Sequence, residues 1–340
     1  MLGGVVAGAL AAGCAPKLVG AGHPGEPAVG GGVVTTDLFG DDGVFRAALI
    51  GDGGSRPADP AARALVARVA EACGEGPACD AAVLLGDNFY GLGFLGPVWA
   101  EGPMMRRRFH ERYAALVLPF FAVLGNHEYA SPVPLASVRH SARHPDAVAG
   151  TEPVWVQPFR YFAAYDAAGL ELLFLDTYPL VGADPLPAVR ARELTWLRAH
   201  CAANPGRRRV AFGHHPAATF GRYTGVAGEL LSEEALDVLL ACGVRTYASG
   251  HDHHLQRIDL RAPDGDVFHQ IVSGKGGEVR TAYPFSDART AVYRWGGADW
   301  AATLLPDHTG DYGTNAYAGW ADLRVAEGIE VTLETVEAGP

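Results

Sequence analysis

Five short motifs combine glycine with side chains that bind metals: Gly51-Asp52-Gly53-Gly54, Gly86-Asp87-Asn88-Phe89-Tyr90, Gly125-Asn126-His127-Glu128, Gly213-His214-His215-Pro216 and Gly250-His251-Asp252-His253-His254. One such motif alone would be ordinary turn chemistry, because glycine and short polar residues close strands everywhere. Taken singly, Asp52, Asp87 and Asn126 read equally well as turn or cap residues, Tyr90 as core and His214 as a strand-end histidine. Only the His251/His253 pair is suggestive alone, since two histidines two residues apart in a turn rarely serve packing. In series the motifs offer Asp52, Asp87, Tyr90, Asn126, His214, His251 and His253 to one pocket. Carboxylate, imidazole, amide and phenol donors together suit Fe, Mn or Zn better than Ca or Cu. Seven donors exceed the needs of one ion but suit two that share a bridging carboxylate. Ions about 3.5–4 Å apart are arranged to clamp a phosphoryl group.

To converge, these residues need a scaffold that brings distant loops to one rim. Apolar runs of strand length occupy 45–50, 82–85, 120–124, 170–175, 210–212 and 244–248, and helical spacing occupies 60–73, 104–118, 189–203 and 229–242. This alternation predicts an α/β fold. Strands with little polar alternation are those covered on both faces. Four of the motifs follow apolar runs, so they fall at carboxyl ends of strands, where open α/β sheets build their sites. Residues 268–272 and 315–337 alternate more strongly and are expected to form edge strands of a second sheet.

The 340-residue chain is 49% hydrophobic, ample for a packed core. Its formal charge of -11 argues against a nucleic-acid surface, which would show a basic excess. The runs Arg106-Arg107-Arg108 and Arg207-Arg208-Arg209 are expected to be solvated faces. Residues 1–12 are small and apolar, and Gly13-Cys14 and a Pro/Gly-rich stretch over 20–32 follow. That start resembles a signal peptide with the lipid-attachment box of bacterial lipoproteins. It predicts a signal or lipoprotein-like segment over 1–19, a tether over 20–40 and one catalytic domain over 41–340. The protein would be exported, periplasmic or extracellular, with a possible membrane tether through lipidated Cys14. No stretch reaches the roughly 20 apolar residues that span a bilayer. Beyond Cys14 remain Cys73, Cys79, Cys201 and Cys242, an even number that suits an oxidising compartment. Cys73 and Cys79 are close enough to close a small loop. Cys201, at helical spacing from Leu194 and Leu197, reads equally as a buried apolar group.

The segments Gly-Asp-Asn-Phe-Tyr at 86–90, Leu-Gly-Asn-His at 124–127 and Gly-His-Asp-His at 250–253 followed by Leu-Gln resemble the calcineurin-like metallophosphoesterases. Within them, the resemblance is to purple acid phosphatases of the small, tartrate-resistant type, over about residues 45–336. It implies a four-layer α/β sandwich of two mixed β-sheets flanked by helices. It also implies a first metal on Asp52, Asp87, Tyr90 and His253 and a second on Asp87, Asn126, His214 and His251, with Asp87 as the bridge. A free tyrosine titrates near ~10, so a phenolate ligand in acid requires a strongly polarising cation. Fe(III) is therefore expected at the first position and Fe(II), Zn(II) or Mn(II) at the second. Fe(III) with a divalent ion, less Asp52, Asp87, the Tyr90 phenolate and one hydroxide, leaves roughly one net positive charge for an anionic ester.

The implied reaction is hydrolysis of phosphate monoesters, with metal-held hydroxide attacking phosphorus and His127 and Asp87 as catalytic residues. His127 is the candidate acid for the leaving group, since imidazolium donates protons near pH ~6. Asn126, His127, His215 and Tyr223 are expected to line the substrate. Some small purple acid phosphatases have a histidine nine residues after the ligand that matches His214. Tyr223 stands there instead, and a phenol does not act as an acid near pH ~5. Glu128 and Asp252 are expected to support the ligands or shape turns, and His110, His140, His144 and His254 to have no ligand role. Alternatives are a phosphodiesterase or nucleotide phosphatase on the same metals, or a non-catalytic phosphate-binding protein. Loops over 91–103, 131–158 and 278–312 would set the choice of ester. The expected partner is a small phosphorylated substrate, on a monomer.

Overall fold

The apolar runs expected to be covered on both faces pair in parallel. β3 (Phe45–Ile50), β4 (Ala81–Leu84), β5 (Pro119–Ala122) and β6 (Val154–Val156) form one parallel group. β8 (Leu170–Phe174), β9 (Arg208–Phe212), β10 (Thr246–Ser249) and β12 (Val267–Ser273) form another. These elements come from a computed structural model that describes residues 17–19, 31–35, 43–54, 60–74, 78–90, 105–130, 153–165, 169–277, 289–306 and 317–337. The six-stranded sheet has the order β16 (Ile329–Glu337), β15 (Tyr317–Val325), β3, β4, β5, β6. The ten-stranded sheet has the order β1 (Lys17–Val19), β2 (Gly31–Thr35), β7 (Tyr161–Tyr165), β8, β9, β10, β12, β11 (Leu255–Arg261), β14 (Ala298–Leu304), β13 (Thr290–Trp295).

Three apolar clusters separate four layers, as expected. Between the sheets lie Leu49, Val83, Phe121, Phe162, Phe174 and Phe212. Phe174 stacks on Phe162, Phe212 and, across the gap, Phe121 at 4.5, 5.2 and 5.1 Å between ring centres. Outside the six-stranded sheet, α1 (Pro60–Gly74) sets Leu65 and Val69 against Ile50 and Leu84. Outside the other sheet, α2 (Pro187–Ala203) and α3 (Glu233–Ala241) set Leu194, Leu197, Leu236 and Leu239 against Leu173 and Ala211.

Several expectations need correction. Gly31–Thr35, inside the expected tether, is a strand parallel to β7 with Val34 fully buried, so the folded unit includes Gly31 rather than starting at 41. Glycine here serves close packing, because a Cβ on Gly31 would lie 2.8 Å from the Trp196 ring. Residues 104–118 are not one helix: from Met105 the chain makes a π-helical segment, Arg106–His110, and then turns. The wider turn aims Phe109 into the rings of Phe120 and Trp155, both 5.2 Å away. It also lets Arg108 donate to the carbonyls of Gly54 and Tyr90 at 3.1 and 2.8 Å. Arg108 is therefore not a solvated charge, and neither is Arg209, which is buried and paired with Glu171.

α3 starts at Glu233 rather than 229, because Ser232 caps it by accepting from the Ala235 amide at 3.3 Å. β12 lies inside the ten-stranded sheet, whereas β15 and β16 do form an edge of the six-stranded one. Cys201 is not a free apolar group: it bonds Cys242, joining the ends of α2 and α3, and Cys73 bonds Cys79. Cys14, the remainder of the 1–40 segment apart from β1 and β2, and loops 91–103 and 131–152 lie outside the described residues, as do 278–288 and 307–316.

Candidate metal centre

Each of the five motifs stands just beyond a parallel strand. Asp52 follows β3, Asp87 and Tyr90 follow β4, and Asn126 and His127 follow β5. His214 follows β9, and His251 and His253 follow β10. The registers Ile50 with Leu84 and Leu84 with Ala122 bring the first three loops level, and Phe212 with Ala248 aligns the other two. The two rims are stitched across the sheet gap by the Gly51 amide donating to the Ser273 carbonyl at 2.8 Å. The His251 amide donates to Asp52 Oδ2 at 2.8 Å, and the ring Nδ1 of His214 meets the Leu85 carbonyl at 2.9 Å. All oxygen donors thus come from the six-stranded sheet and all imidazoles from the ten-stranded one.

The site holds backbone strain. Asp52, Asp87 and His251 adopt left-handed φ of 58°, 50° and 65°, and among the described non-glycine residues only Asp184 joins them. Each such conformation costs about 1–3 kcal/mol and persists only where surroundings enforce it. Gly125 is required, since a Cβ there would overlap the Asp87 carboxylate and amide.

The donor atoms form two groups, a triangle and a chain of close neighbours. Asp52 Oδ1, the Tyr90 hydroxyl and His253 Nε2 stand 3.1, 3.1 and 3.2 Å apart. Asn126 Oδ1 stands 3.0 Å from His214 Nε2 and 3.1 Å from His251 Nδ1, and His214 Nε2 is 3.4 Å from Asp87 Oδ1. Metal bonds of about 2.1 Å put neighbouring ligand atoms roughly 3.0 Å apart in an octahedron and 3.4 Å in a tetrahedron. The donor set therefore fits two ions. Donor atoms of Asp52, Asp87 and His214 lie within 4.8 Å of one another, which sets the two groups side by side.

Burial and hydrogen bonds fix the donors. Burial alone would raise the Asp52 carboxyl, but the imidazoles of His253, His214 and His251 hold it below the ordinary carboxylate range. Glu128 is fully buried and ties two ligand loops together: Oε1 accepts from the Asn88 and Phe89 amides at 2.9 and 3.0 Å, Oε2 from the Gly125 amide at 2.6 Å. Burial, and then Asp87, push its pKa well up against those bonds. Tyr129 closes the Asn126–Tyr129 turn and is anchored by Asp176 and Arg160.

His127 lies at the mouth, 37% exposed, with its amide 2.9 Å from Asp87 Oδ1 and its Nε2 3.7 Å from Oδ2. Tyr223 is stacked flat on His251, with ring centres 4.3 Å apart and planes 7° apart. His215, expected at the substrate, is buried behind His251 with its Nδ1 2.9 Å from the Thr177 hydroxyl. Burial, with His251 and His214 beside it, holds its pKa well below the ordinary value, so it is neutral. His254 is likewise buried, 3.7 Å from Asp252. Asp252 accepts from the Thr219 hydroxyl at 2.6 Å and the Arg222 and Tyr223 amides at 3.2 and 3.4 Å, so it secures the loop that carries Tyr223. His140 and His144 lie outside the described residues.

Two functional residues escape sequence reasoning. Thr177 accepts the amides of His214 and His215 at 3.1 and 3.0 Å. It follows an apolar strand as the motifs do, and that placement was the available signal. Glu229 Oε2 meets His251 Nε2 at 3.0 Å, and its place in a run with helical spacing hid it.

Residues 33–255 match the calcineurin-like phosphoesterase family. The chain belongs to that family. This phosphoesterase is 26% identical over 265 residues to purple acid phosphatase 3 of Arabidopsis thaliana, across 72% of this chain and 68% of that protein. It is 29% identical over 193 residues to purple acid phosphatase 4 of the same plant, across 52% and 53% of the two chains. The phosphoesterase is thus purple acid phosphatase-like, with the fold expected of it. A solved structure titled as GAP50, the anchor in the inner membrane complex of Plasmodium, superposes with a TM-score of 0.60 at 17% identity, covering 87% of this chain and 85% of that one. That likeness is one of fold.

Proposed function

We propose that this phosphoesterase hydrolyses phosphate monoesters at a dinuclear centre. Asp52, Asp87, Tyr90 and His253 would hold Fe(III), and Asp87, Asn126, His214 and His251 would hold Fe(II), Zn(II) or Mn(II). The observation that carries this reading is the pair of donor groups, one including a phenol oxygen, at spacings that suit metal coordination. Such an ion pair supplies an activated water and positive charge for the phosphoryl oxygens.

The chain's own side chains do the rest. His127, exposed at the mouth and joined to Asp87 through its amide, donates the proton that the leaving oxygen needs. Asn126, with its Oδ1 turned to the two histidines, leaves its amide nitrogen to meet the phosphoryl group. Tyr223 covers one face of His251, and its hydroxyl would serve the substrate as a hydrogen-bond donor rather than an acid. His215, neutral and enclosed, shapes the wall behind His251.

The test joins metal analysis, a visible spectrum and turnover of an aryl phosphate monoester against the matching diester. Expected are two ions per chain, iron among them, a visible band that Tyr90→Phe abolishes, and preference for the monoester. A colourless protein holding only zinc or manganese would refute the Fe(III)–Tyr90 assignment, and preference for the diester would refute the substrate class. Export as a monomer, tethered through lipidated Cys14, belongs to the same proposal and draws support from the two disulfides, which suit an oxidising compartment. Cys14→Ser should then move the protein from the membrane to the aqueous fraction. No helix among the described residues is long and apolar enough to cross a membrane.

A further inference from the structure

We propose that Glu229 is a positioning residue that sets the affinity of the second metal position through His251, an inference that rests on the dinuclear reading. The His251 ring is engaged at both nitrogens. Nδ1 stands 3.1 Å from Asn126 Oδ1 inside the second donor group, and Nε2 stands 3.0 Å from Glu229 Oε2. A carboxylate has no proton to donate, so the network assigns the hydrogen to Nε2 and leaves the Nδ1 lone pair facing the site. Glu229 thereby fixes both the tautomer and the rotation of the ring. Carboxylate-backed imidazoles are also stronger donors to a metal. His214 lacks this support, because its outer nitrogen meets only the neutral carbonyl of Leu85.

The same loop supplies a second restraint. Tyr223 lies flat on His251, so one loop fixes the ring on its edge and its face. That loop is fastened at both ends. Asp252 accepts the Arg222 and Tyr223 amides, while the Ser232 amide donates to the Leu180 carbonyl at 2.9 Å and Leu231 bridges Val181. Helix α3 starts only at Glu233, and a short 3-10 turn, Ala227–Glu229, therefore aims the carboxylate back at the centre.

Glu229 also groups with His215 and His251 closely enough to suggest a separate cation site. Hydrogen bonding argues against that use. The Thr177 oxygen accepts two amides, so its proton goes to His215 Nδ1, and His215 Nε2 then carries hydrogen and has no lone pair to offer. With Nε2 of His251 protonated as well, the group lacks two of its three donors.

The test uses the full chain stripped of metal and titrated with Zn(II) against a competing chelator, with circular dichroism to verify folding. Glu229→Ala should weaken one of the two ion-binding steps by about 10–100-fold and leave the other unchanged. Glu229→Gln should fall between, because its amide oxygen still accepts from Nε2–H without the charge. Glu234→Ala, a change to an exposed carboxylate that pairs with Arg190 and Arg198, should match wild type. If Glu229→Ala binds both ions within about threefold of wild type, the positioning role is refuted. A wild-type chain that takes up fewer than two ions would instead refute the dinuclear reading.

Discussion

Glu128 offers the sharpest test of how the centre is built. One carboxylate accepts three backbone amides, two from the loop after β4 and one from the loop after β5. Glu128→Gln can keep the two bonds at Oε1, but its new NH2 group then faces the Gly125 N–H, donor against donor. One buried amide is left unpaired, at a cost of about 1–3 kcal/mol. Glu128→Ala strands all three, about 3–9 kcal/mol before water enters the gap, against a total stability of order 5–15 kcal/mol. Urea unfolding of the metal-free chains measures both. The midpoint of Glu128→Gln should fall by an amount equivalent to about 1–3 kcal/mol, while Glu128→Ala should be barely folded or unfolded. The mechanism also requires a second effect. Asp87 and Asn126 lose their common anchor, so Glu128→Gln should bind both ions more weakly. A Glu128→Gln protein within about 0.5 kcal/mol of wild type would refute the claim that the carboxylate bears these amides.

Three further outcomes are expected. His127→Ala should slow hydrolysis of an alkyl phosphate by about 10²–10⁴-fold and of an activated aryl phosphate far less, because a good leaving group needs no proton; equal losses in steady-state assays would contradict the acid role. Glu171 is pushed up by burial but held below the ordinary carboxylate range by His200 and Arg209, so its folded pKa lies below its unfolded one. Its stabilisation is complete above about pH 4.3 and is lost as pH falls through the folded value, so urea midpoints should drop in acid for wild type and change less for Glu171→Gln. Removing the Cys201–Cys242 bond, which spans 41 residues, should destabilise the chain by about 4 kcal/mol, against about 2 for the six-residue Cys73–Cys79 loop; double serine variants in urea test that order.

The parts of the molecule that sequence exposes are those where one residue type has one job. Apolar runs without alternation gave β3, β4, β5, β8, β9 and β10 to within a residue or two, and glycine beside Asp52, Asp87, Asn126, His214 and His251 marked the loops that the fold brings to one rim. Misreadings arose where composition serves more than one purpose. The glycines at 31 and 32 look like tether yet permit a strand to pack under Tyr161 and Trp196. The Arg106–Arg108 and Arg207–Arg209 runs look like solvated faces, but in each the third arginine turns inward to backbone carbonyls or to Glu171. Residues 104–118 keep helical spacing, but aromatic packing around Phe109 overrides it. Glu229 and Thr177 meet histidines distant in the chain, 22 and 37 residues away; Thr177 has only its place after an apolar strand to mark it, and Glu229 has no local pattern at all.

The division of donors between the sheets has an architectural consequence. In the proposed donor set, residues before about 130 contribute only oxygen and residues after about 210 only nitrogen, so neither half of the chain would carry a complete coordination sphere. An excised amino-terminal half would favour hard cations, and an excised carboxy-terminal half would offer a bare imidazole cluster. The preference for ions of intermediate hardness that the proposed donor set implies would therefore belong to the seam itself. In the dinuclear reading, ions that bind only the joined sheets would act as rivets that resist their separation.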